Sequence, residues 1–187
     1  RQLDPQAFTQ ALIKGASWRG VNCKFGLKAH YILFDCPEAP NKRQCTAIQT
    51  KDGIINLDYL IIAAGLGSTP LSTHLEKTVD TQPVLGQALK LRLDSPIKSD
   101  FNPVITANDV HIVPLGGRDY WVGATVEFAN EAGNIPENPQ LLETVREDAI
   151  AFCPFLEEGT IMQTWSGKRP RPQGQGAPII QWLEGYD

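Results

Sequence analysis

The sequence lacks any apolar run long enough to cross a membrane as a helix. The longest run, Tyr59–Ala64, has six residues, whereas a spanning helix needs about 20. It also lacks the basic and then apolar segment that is typical of a secretory signal peptide. We therefore expect a cytoplasmic protein that does not interact with membranes.

Closely spaced cysteine pairs are also missing. The four cysteines, Cys23, Cys36, Cys45 and Cys153, are separated by 13, 9 and 108 positions. Zinc sites usually contain Cys-x2-Cys pairs, and small secreted domains carry dense disulfide frameworks. We expect separate reduced thiols and no metal site.

An excess of positive charge is absent as well, since 17 Lys and Arg face 21 Asp and Glu, for a net charge of −4. This balance does not favour nucleic-acid binding. The hydrophobic content of 42% is enough for a buried core, and 16 Gly with 14 Pro indicate frequent turns. These values predict a globular protein and exclude a disordered or fibrous one.

Two helices are predicted from capping patterns. Asp4-Pro5 begins a helix that Gly15 can end, and Asn138-Pro139 begins another that Pro154 ends. Strands are predicted over residues 20–34, 43–50, 54–57, 84–93, 104–106, 110–113 and 120–125, with an extended segment over 161–180. Turns are predicted at Glu38–Asn41, Asp52-Gly53 and Gly116–Asp119.

The run Leu60–Ala64 has no polar alternation, which is typical of a parallel strand buried on both faces. Two helices beside about eight strands make the fold class α+β, with a mixed or antiparallel sheet and helices on one side. The run at residues 60–65 would be a strand borrowed from an α/β layer. Arg1 is not an initiator and the chain ends without a closing element, so we expect a piece of a longer protein.

Three segments could carry chemistry. Gly65–Pro70 resembles the start of a dinucleotide loop, but Pro70 replaces the third glycine. The small residues Ala63, Ala64 and Gly65 would let a ligand approach the backbone, or simply allow a tight strand-to-helix turn. The second candidate is His111, which would lie opposite Val110 and Ile112 on a regular strand. A histidine there is more often hydrogen-bonded or exposed than catalytic.

The cationic segment Trp165–Pro172 has three possible explanations: a solvated loop, a nucleic-acid contact, which the net acidity disfavours, or an anion site built on Arg169. Pro170 biases Arg169 toward extended backbone, and a guanidinium can hold a carboxylate through two hydrogen bonds. No Ser/His/Asp or Cys/His set can be assembled from the three histidines.

Four segments occur in the order of a known family: LIIAAGLGS (60–68), PVLGQALKL (83–91), VHIVPLGGRDYWVGATVE (110–127) and TWSGKRPRPQGQGAPIIQWLEGYD (164–187). Together they resemble the FAD-dependent amine oxidases of the D-amino-acid oxidase superfamily, especially its glycine oxidase-like members. The resemblance covers nearly the whole chain. It implies an α+β fold in which residues 1–82 are part of an FAD-binding domain, 83–172 a substrate-binding domain, and 173–187 a segment returning to the FAD domain.

The resemblance also implies roles for particular residues. Arg169 would pair with the substrate carboxylate, and His111 stands where a substrate-contacting tyrosine is frequent. Ala29 and the segment Ala63, Ala64 and Gly65 would approach the FAD. No protein nucleophile is implied, because the flavin takes a hydride from a small amino acid or amine and O2 reoxidises it.

Two family elements are absent from this sequence: the early GxGxxG unit and the closing Gly-His…Asn-Gly loop. We expect the isolated fragment to be inactive and nearly free of flavin, whereas the full-length parent would bind FAD. The alternatives are a flavin dehydrogenase, a tRNA-modifying flavoenzyme of the same superfamily, or a non-catalytic interaction domain, which His111 at a tyrosine position would favour.

Overall fold

The structure is a computed structural model that describes residues 3–35, 43–73, 75, 78–98, 102–174, 176 and 178–183. The chain divides into two compact units. We call residues 82–171 the central unit, and the residues up to 81 together with those from 172 onward the terminal unit. The assignment of these units to substrate and FAD remains a prediction.

The terminal unit begins with helix α1, Pro5–Trp18. The Asp4 side chain accepts hydrogen bonds from two backbone N–H groups of the first turn, as its position before Pro5 predicts. Gly15 does not end the helix, since an interior glycine costs only about 1 kcal/mol. Gly20 ends it instead, because its φ of 88° is the left-handed conformation that closes a helix C-terminus.

A three-stranded antiparallel sheet follows, in the order β1-β2-β3. Its strands are β1 (Ala29–Asp35), β2 (Gln44–Thr50) and β3 (Gly53–Asn56). The strand predicted over 20–34 starts late, because Gly20 and Gly26 both have positive φ and interrupt extended backbone. The Asp52-Gly53 hairpin is confirmed, whereas the predicted turn at Glu38–Asn41 lies outside the described residues.

The prediction that Leu60–Ala64 is a strand buried on both faces is wrong. Residues 60–64 have no regular secondary structure, and Ile61 is 88% exposed. An apolar run forms a strand only where neighbouring strands supply hydrogen-bond partners, and none of the described residues does so here. Gly65–Gly67 forms a 3-10 turn that leads into helix α2, Ser68–Ser72.

The central unit contains a five-stranded sheet in the order β5-β6-β7-β4-β8. Its strands are β4 (Thr81–Arg92), β5 (Ile105–Ala107), β6 (Val110–Gly116), β7 (Asp119–Gly123) and β8 (Thr160–Pro172). Helix α3, Pro139–Phe152, begins at Asn138 as predicted, since that side chain accepts from Gln140 N. The α+β class is confirmed, as is the hairpin loop between β6 and β7.

Cross-strand register separates the two faces of this sheet. We call the face that packs on α3 the inner face, and it carries the core, which includes Leu89, Leu91, Ile112, Tyr120, Val122, Ala149 and Leu156. We call the opposite side the outer face. It carries Ala88, Lys90, Arg92, His111, Val113, Asp119, Trp121 and Gly123. The inner face therefore carries the hydrophobic core of the central unit.

None of the described helices is long and apolar enough to span a membrane. The three described cysteines, Cys23, Cys45 and Cys153, are free thiols, and Cys36 lies outside the described residues. Burial raises the pKa of the Cys45 and Cys153 thiols, so neither has the lowered pKa of a reactive cysteine.

Candidate functional site

Arg169 lies on β8, the strand at one edge of the central sheet. Its guanidinium covers Gly86 of the neighbouring strand β4. A Cβ built on Gly86 would lie 2.9 Å from Arg169 Cζ and closer still to Nη2. Gly86 alternates with Gln87 on β4 and therefore shares the outer face with Ala88. Because Gly86 has no side chain, the guanidinium can lie directly against the sheet.

One hydrogen bond fixes this position: Arg169 Nη2 donates to the Thr125 carbonyl oxygen at 2.8 Å. Among the described residues, no carboxylate lies within salt-bridge distance of the Arg169 guanidinium. A guanidinium has five N–H donors and no acceptor. An oriented guanidinium with most donors unused by the described residues suits a planar carboxylate held through two parallel hydrogen bonds.

Two tryptophan rings contact each other on the outer face. The Trp121 and Trp165 rings have centroids 6.1 Å apart at an interplanar angle of 42°. Trp121 also lies close to Gly123, where a Cβ would be 3.0 Å from Trp121 Cη2 and 2.7 Å from Ala88 Cβ. The Trp121 ring therefore lies over Gly123, next to the buried Ala88.

His111 projects from β6 onto the outer face, as its alternation with buried Val110 and Ile112 predicts. Its Nδ1 lies 2.9 Å from Thr106 Oγ1 on β5. Cross-strand register places His111 opposite Gly123, which is in turn opposite Ala88. His111 and Arg169 thus share a face.

The separation of these two side chains follows from the strand spacing. The Arg169 guanidinium lies over β4, two strands from β6, and neighbouring strands are about 4.8 Å apart. Strands β4 and β6 are therefore on the order of 10 Å apart. A small amino acid could span this distance together with the side chains of Arg169 and His111. That His111 and Arg169 contact a substrate remains a prediction.

The far end of the outer face is occupied by an ion cluster. Asp119 pairs with Lys90 Nζ at 2.6 Å and with Arg92 Nε at 2.6 Å, and Arg92 Nη2 completes a two-point contact at 2.9 Å. The hydrogen bonds from Arg92, and then from Lys90, hold the pKa of the Asp119 carboxyl far below its usual range. These two cations are therefore already paired, whereas Arg169 has no carboxylate partner in the part of the chain that the structure describes.

The predicted cofactor contacts lie in the terminal unit. Ala63 and Ala64 are exposed and their side chains are single methyl groups, and Gly65 has a φ of 56°. Ala29 opens β1, where it pairs with Thr50. Exposed residues with such small side chains would let a cofactor such as FAD approach the main chain closely.

Hydroxyl groups fix the turn that follows these residues. Thr69 Oγ1 donates to Val79 O at 2.8 Å and accepts from Thr81 N at 3.0 Å. Ser72 is fully buried, and its Oγ accepts from Val79 N at 2.8 Å. The Gly65–Ser72 turn is thus held to residues 79–81 by side chains that leave Ala63 and Ala64 exposed.

Comparison with known proteins shows the family of this chain. The sequence model of the DAO family, described as FAD dependent oxidoreductase, matches residues 1–186. The chain therefore belongs to the DAO family of FAD-dependent oxidoreductases, and the family resemblance predicted from the four segments is confirmed.

Individual relatives are similar over most of this chain. The bifunctional protein ThiO/ThiG of Nostoc sp. is 29% identical over 171 residues, which is 90% of this chain and 24% of that protein. The glycine oxidase of Pseudomonas putida is 28% identical over 147 residues, 78% of this chain and 38% of that enzyme. Among solved structures, glycine oxidase from Bacillus cereus aligns with a TM-score of 0.75 at 25% identity, covering 95% of this chain and 47% of that one.

The chain thus spans less than half the length of these relatives. Arg169 and His111 as substrate contacts stay predictions, and the sequence analysis did not predict that Gly86 and Thr125 contact Arg169 or that Trp121 contacts Trp165. Gly86 and Trp165 stand inside the segments that carry the family resemblance, which was the available signal. The contact of Gly86 with Arg169 and the contact of Trp165 with Trp121 depend on strand pairing, which cannot be read from the sequence.

Proposed function

We propose that the full-length protein uses FAD to oxidise a small amino acid, with this chain supplying the carboxylate-binding arginine. The observation that carries the proposal is the placement of Arg169: its guanidinium lies against Gly86, is held by the Thr125 carbonyl, and has no carboxylate partner among the described residues. The glycine oxidases among the relatives support a small amino acid as the substrate.

Each residue of the site has a separate task in this proposal. Arg169 binds the carboxylate through two hydrogen bonds and so fixes the Cα of the substrate in space. His111, held by Thr106, contacts the substrate from β6. Trp121 and Trp165 exclude water from one side of the substrate. None of these groups forms a covalent bond to the substrate, so the protein contributes orientation.

FAD fits the exposed backbone of Ala63, Ala64 and Gly65, with Ala29 as a further contact. When bound, it would accept the hydride from the substrate Cα, and O2 would take up the two electrons to give peroxide. Loss of the hydride leaves an imine, which water hydrolyses to ammonia and an oxo acid.

The test uses the full-length protein with its FAD, assayed for peroxide with glycine, sarcosine and small D-amino acids. Arg169→Ala is expected to raise KM about 10- to 150-fold, since a hydrogen bond to a charged group contributes about 1.5–3 kcal/mol. The effect on kcat should be smaller if the carboxylate is held equally in the ground and transition states.

Arg171→Ala is the matched control, because Arg171 is two residues further along β8 and its Cζ lies 5.5 Å from the Phe128 ring centroid instead. It should leave KM close to the wild-type value. Equal effects of the two substitutions would remove Arg169 from the carboxylate role. Full-length protein that binds FAD but oxidises no amine would favour the interaction-domain alternative.

A dehydrogenase is the second candidate, because the D-amino acid dehydrogenase of Vibrio cholerae is 29% identical over 182 residues, 95% of this chain and 40% of that enzyme. An oxidase produces one peroxide per substrate in air. A dehydrogenase reduces an added dye without O2 and gives little peroxide, so comparing the two yields separates the candidates.

A further inference from the structure

Three polar side chains are buried beneath the Arg169 contact. Gln87 is 4% exposed, Thr125 4% and Glu127 6%. Gln87 follows Gly86, the residue that the guanidinium covers, and Thr125 carries the carbonyl that accepts from Arg169. Both contacts of the guanidinium are therefore made to, or directly beside, members of this buried group.

Hydrogen bonds join the group into one network. Thr125 Oγ1 accepts from Gln87 N at 2.8 Å and donates to Glu127 Oε1 at 2.5 Å. Gln87 Nε2 donates to Glu127 Oε1 at 2.8 Å and to Asn138 O at 3.0 Å. Asn138 N donates to Glu127 Oε2 at 2.9 Å. The carboxylate thus links β4, residue 125 and the start of α3.

We infer that Glu127 is a positioning residue for Arg169 and acts through Thr125. This inference rests on the proposed function, in which Arg169 binds the substrate carboxylate. Every polar group of Thr125 has a partner: its N–H donates to Gln87 O at 3.0 Å, its hydroxyl joins Gln87 N to Glu127, and its carbonyl receives Arg169. The hydrogen bonds of the Thr125 N–H and hydroxyl groups therefore fix the residue whose carbonyl orients the guanidinium.

The chemistry of the network requires a carboxylate at residue 127. Gln87 N occupies an acceptor site of the Thr125 hydroxyl, so the hydroxyl proton is directed to Glu127 Oε1. Glu127 receives donors on both oxygens. An amide at residue 127 would place its NH2 group against one of these donors, and a buried unmatched donor is costly. The network therefore selects one orientation of Thr125.

The test is a double-mutant cycle in the full-length, FAD-containing protein. The probe is acetate, the smallest carboxylate with a methyl group, measured as a competitive inhibitor of glycine oxidation. Thr125→Val and Glu127→Gln should each raise the Ki of acetate and the KM of glycine about 5- to 10-fold, the effect of losing one neutral hydrogen bond. The kcat should stay within about twofold, and Thr125→Ser should restore wild-type values.

The decisive comparison is made in the Arg169→Ala background. If Glu127 and Thr125 act through the guanidinium, Thr125→Val adds nothing to the Ki of acetate once Arg169 is gone. Leu156→Val is the control for general destabilisation, because Leu156 is a fully buried core residue outside the network. It should lower Tm and leave the Ki of acetate unchanged.

Full additivity of Thr125→Val with Arg169→Ala would overturn the inference, as would an equal change of Ki in Leu156→Val. Should Thr125→Val not fold, Glu127→Gln decides by the same two criteria. An Arg169→Ala variant with wild-type Ki for acetate would refute the proposed function as well. A raised Ki in Arg169→Ala with no change in Glu127→Gln would refute the network's role alone.

Discussion

The sharpest test of the site is Gly86→Ala, which adds one methyl group beneath the guanidinium. The new Cβ would lie 2.9 Å from Arg169 Cζ and 3.2 Å from Thr125 O. Carbon atoms in contact are separated by about 3.5–4.0 Å, so Cζ must retreat by roughly 0.6–1.1 Å. The 2.8 Å bond from Nη2 to the Thr125 carbonyl would then be lost or strongly weakened.

The energetic consequence should appear in substrate binding and hardly in folding. A displaced guanidinium loses its two-point contact with the carboxylate, about 1.5–3 kcal/mol, which corresponds to a rise in KM of about 10- to 150-fold. Gly86 does not have a positive φ, so alanine is allowed by its backbone. The free energy of unfolding gains about 0.4–1 kcal/mol from the stiffer unfolded chain, offset by the tight contact with Thr125 O.

The assay is the rate of glycine oxidation by full-length Gly86→Ala with FAD bound, together with its Tm. Gly167→Ala is the matched control, since Gly167 is also a strand glycine without a positive φ. A Cβ built on Gly167 would have no atom of the described residues within 4 Å. A wild-type KM in Gly86→Ala, where Arg169→Ala has a raised one, would refute the reasoning. So would a Tm that collapses in Gly86→Ala alone.

Three further predictions concern the stability of the full-length protein, which is measured by thermal unfolding. Asp119→Asn should lower the free energy of unfolding at neutral pH, and this loss should shrink as the pH falls below about 4. Arg92 and Lys90 lower the pKa of Asp119, so its stabilising contribution is present above the pKa of the unfolded state and is lost in acid. A loss of stability that does not change with pH would contradict this. Leu91→Ala should cost about 2–5 kcal/mol, because Leu91 is fully buried; a cost below 1 kcal/mol would place Leu91 outside the core. Asp4→Ala should cost about 1 kcal/mol of α1 stability, seen as lower helix content, whereas Asp4→Asn should retain the cap.

Much of the local structure could be predicted because it depends on neighbours in sequence. Asp4-Pro5 and Asn138-Pro139 begin helices since a capping side chain and a proline satisfy the first turn by themselves. Gly53 and Gly116 permit the positive φ of their hairpins. The alternation around His111 predicted which face it occupies. In each case the deciding atoms are a few residues apart.

The errors arose where distant atoms decide. Leu60–Ala64 is apolar enough for a buried strand, but strand formation needs partners that the described chain does not provide. Gly15 is a possible helix end, yet Gly20 ends α1 because Gly20 N and Val21 N reach the last carbonyls of the helix. A residue's propensity does not report whether such partners are present.

The amino-acid sequence by itself determined the α+β class and the family, and it predicted Arg169 as the carboxylate-binding residue, which stays a prediction. Only the tertiary structure decided what that arginine touches, because its hydrogen-bond acceptor, Thr125, is 44 positions away and its floor, Gly86, lies on another strand. Strand pairing orients the Arg169 guanidinium, because it brings Gly86, which has no side chain, and the Thr125 carbonyl into contact with it.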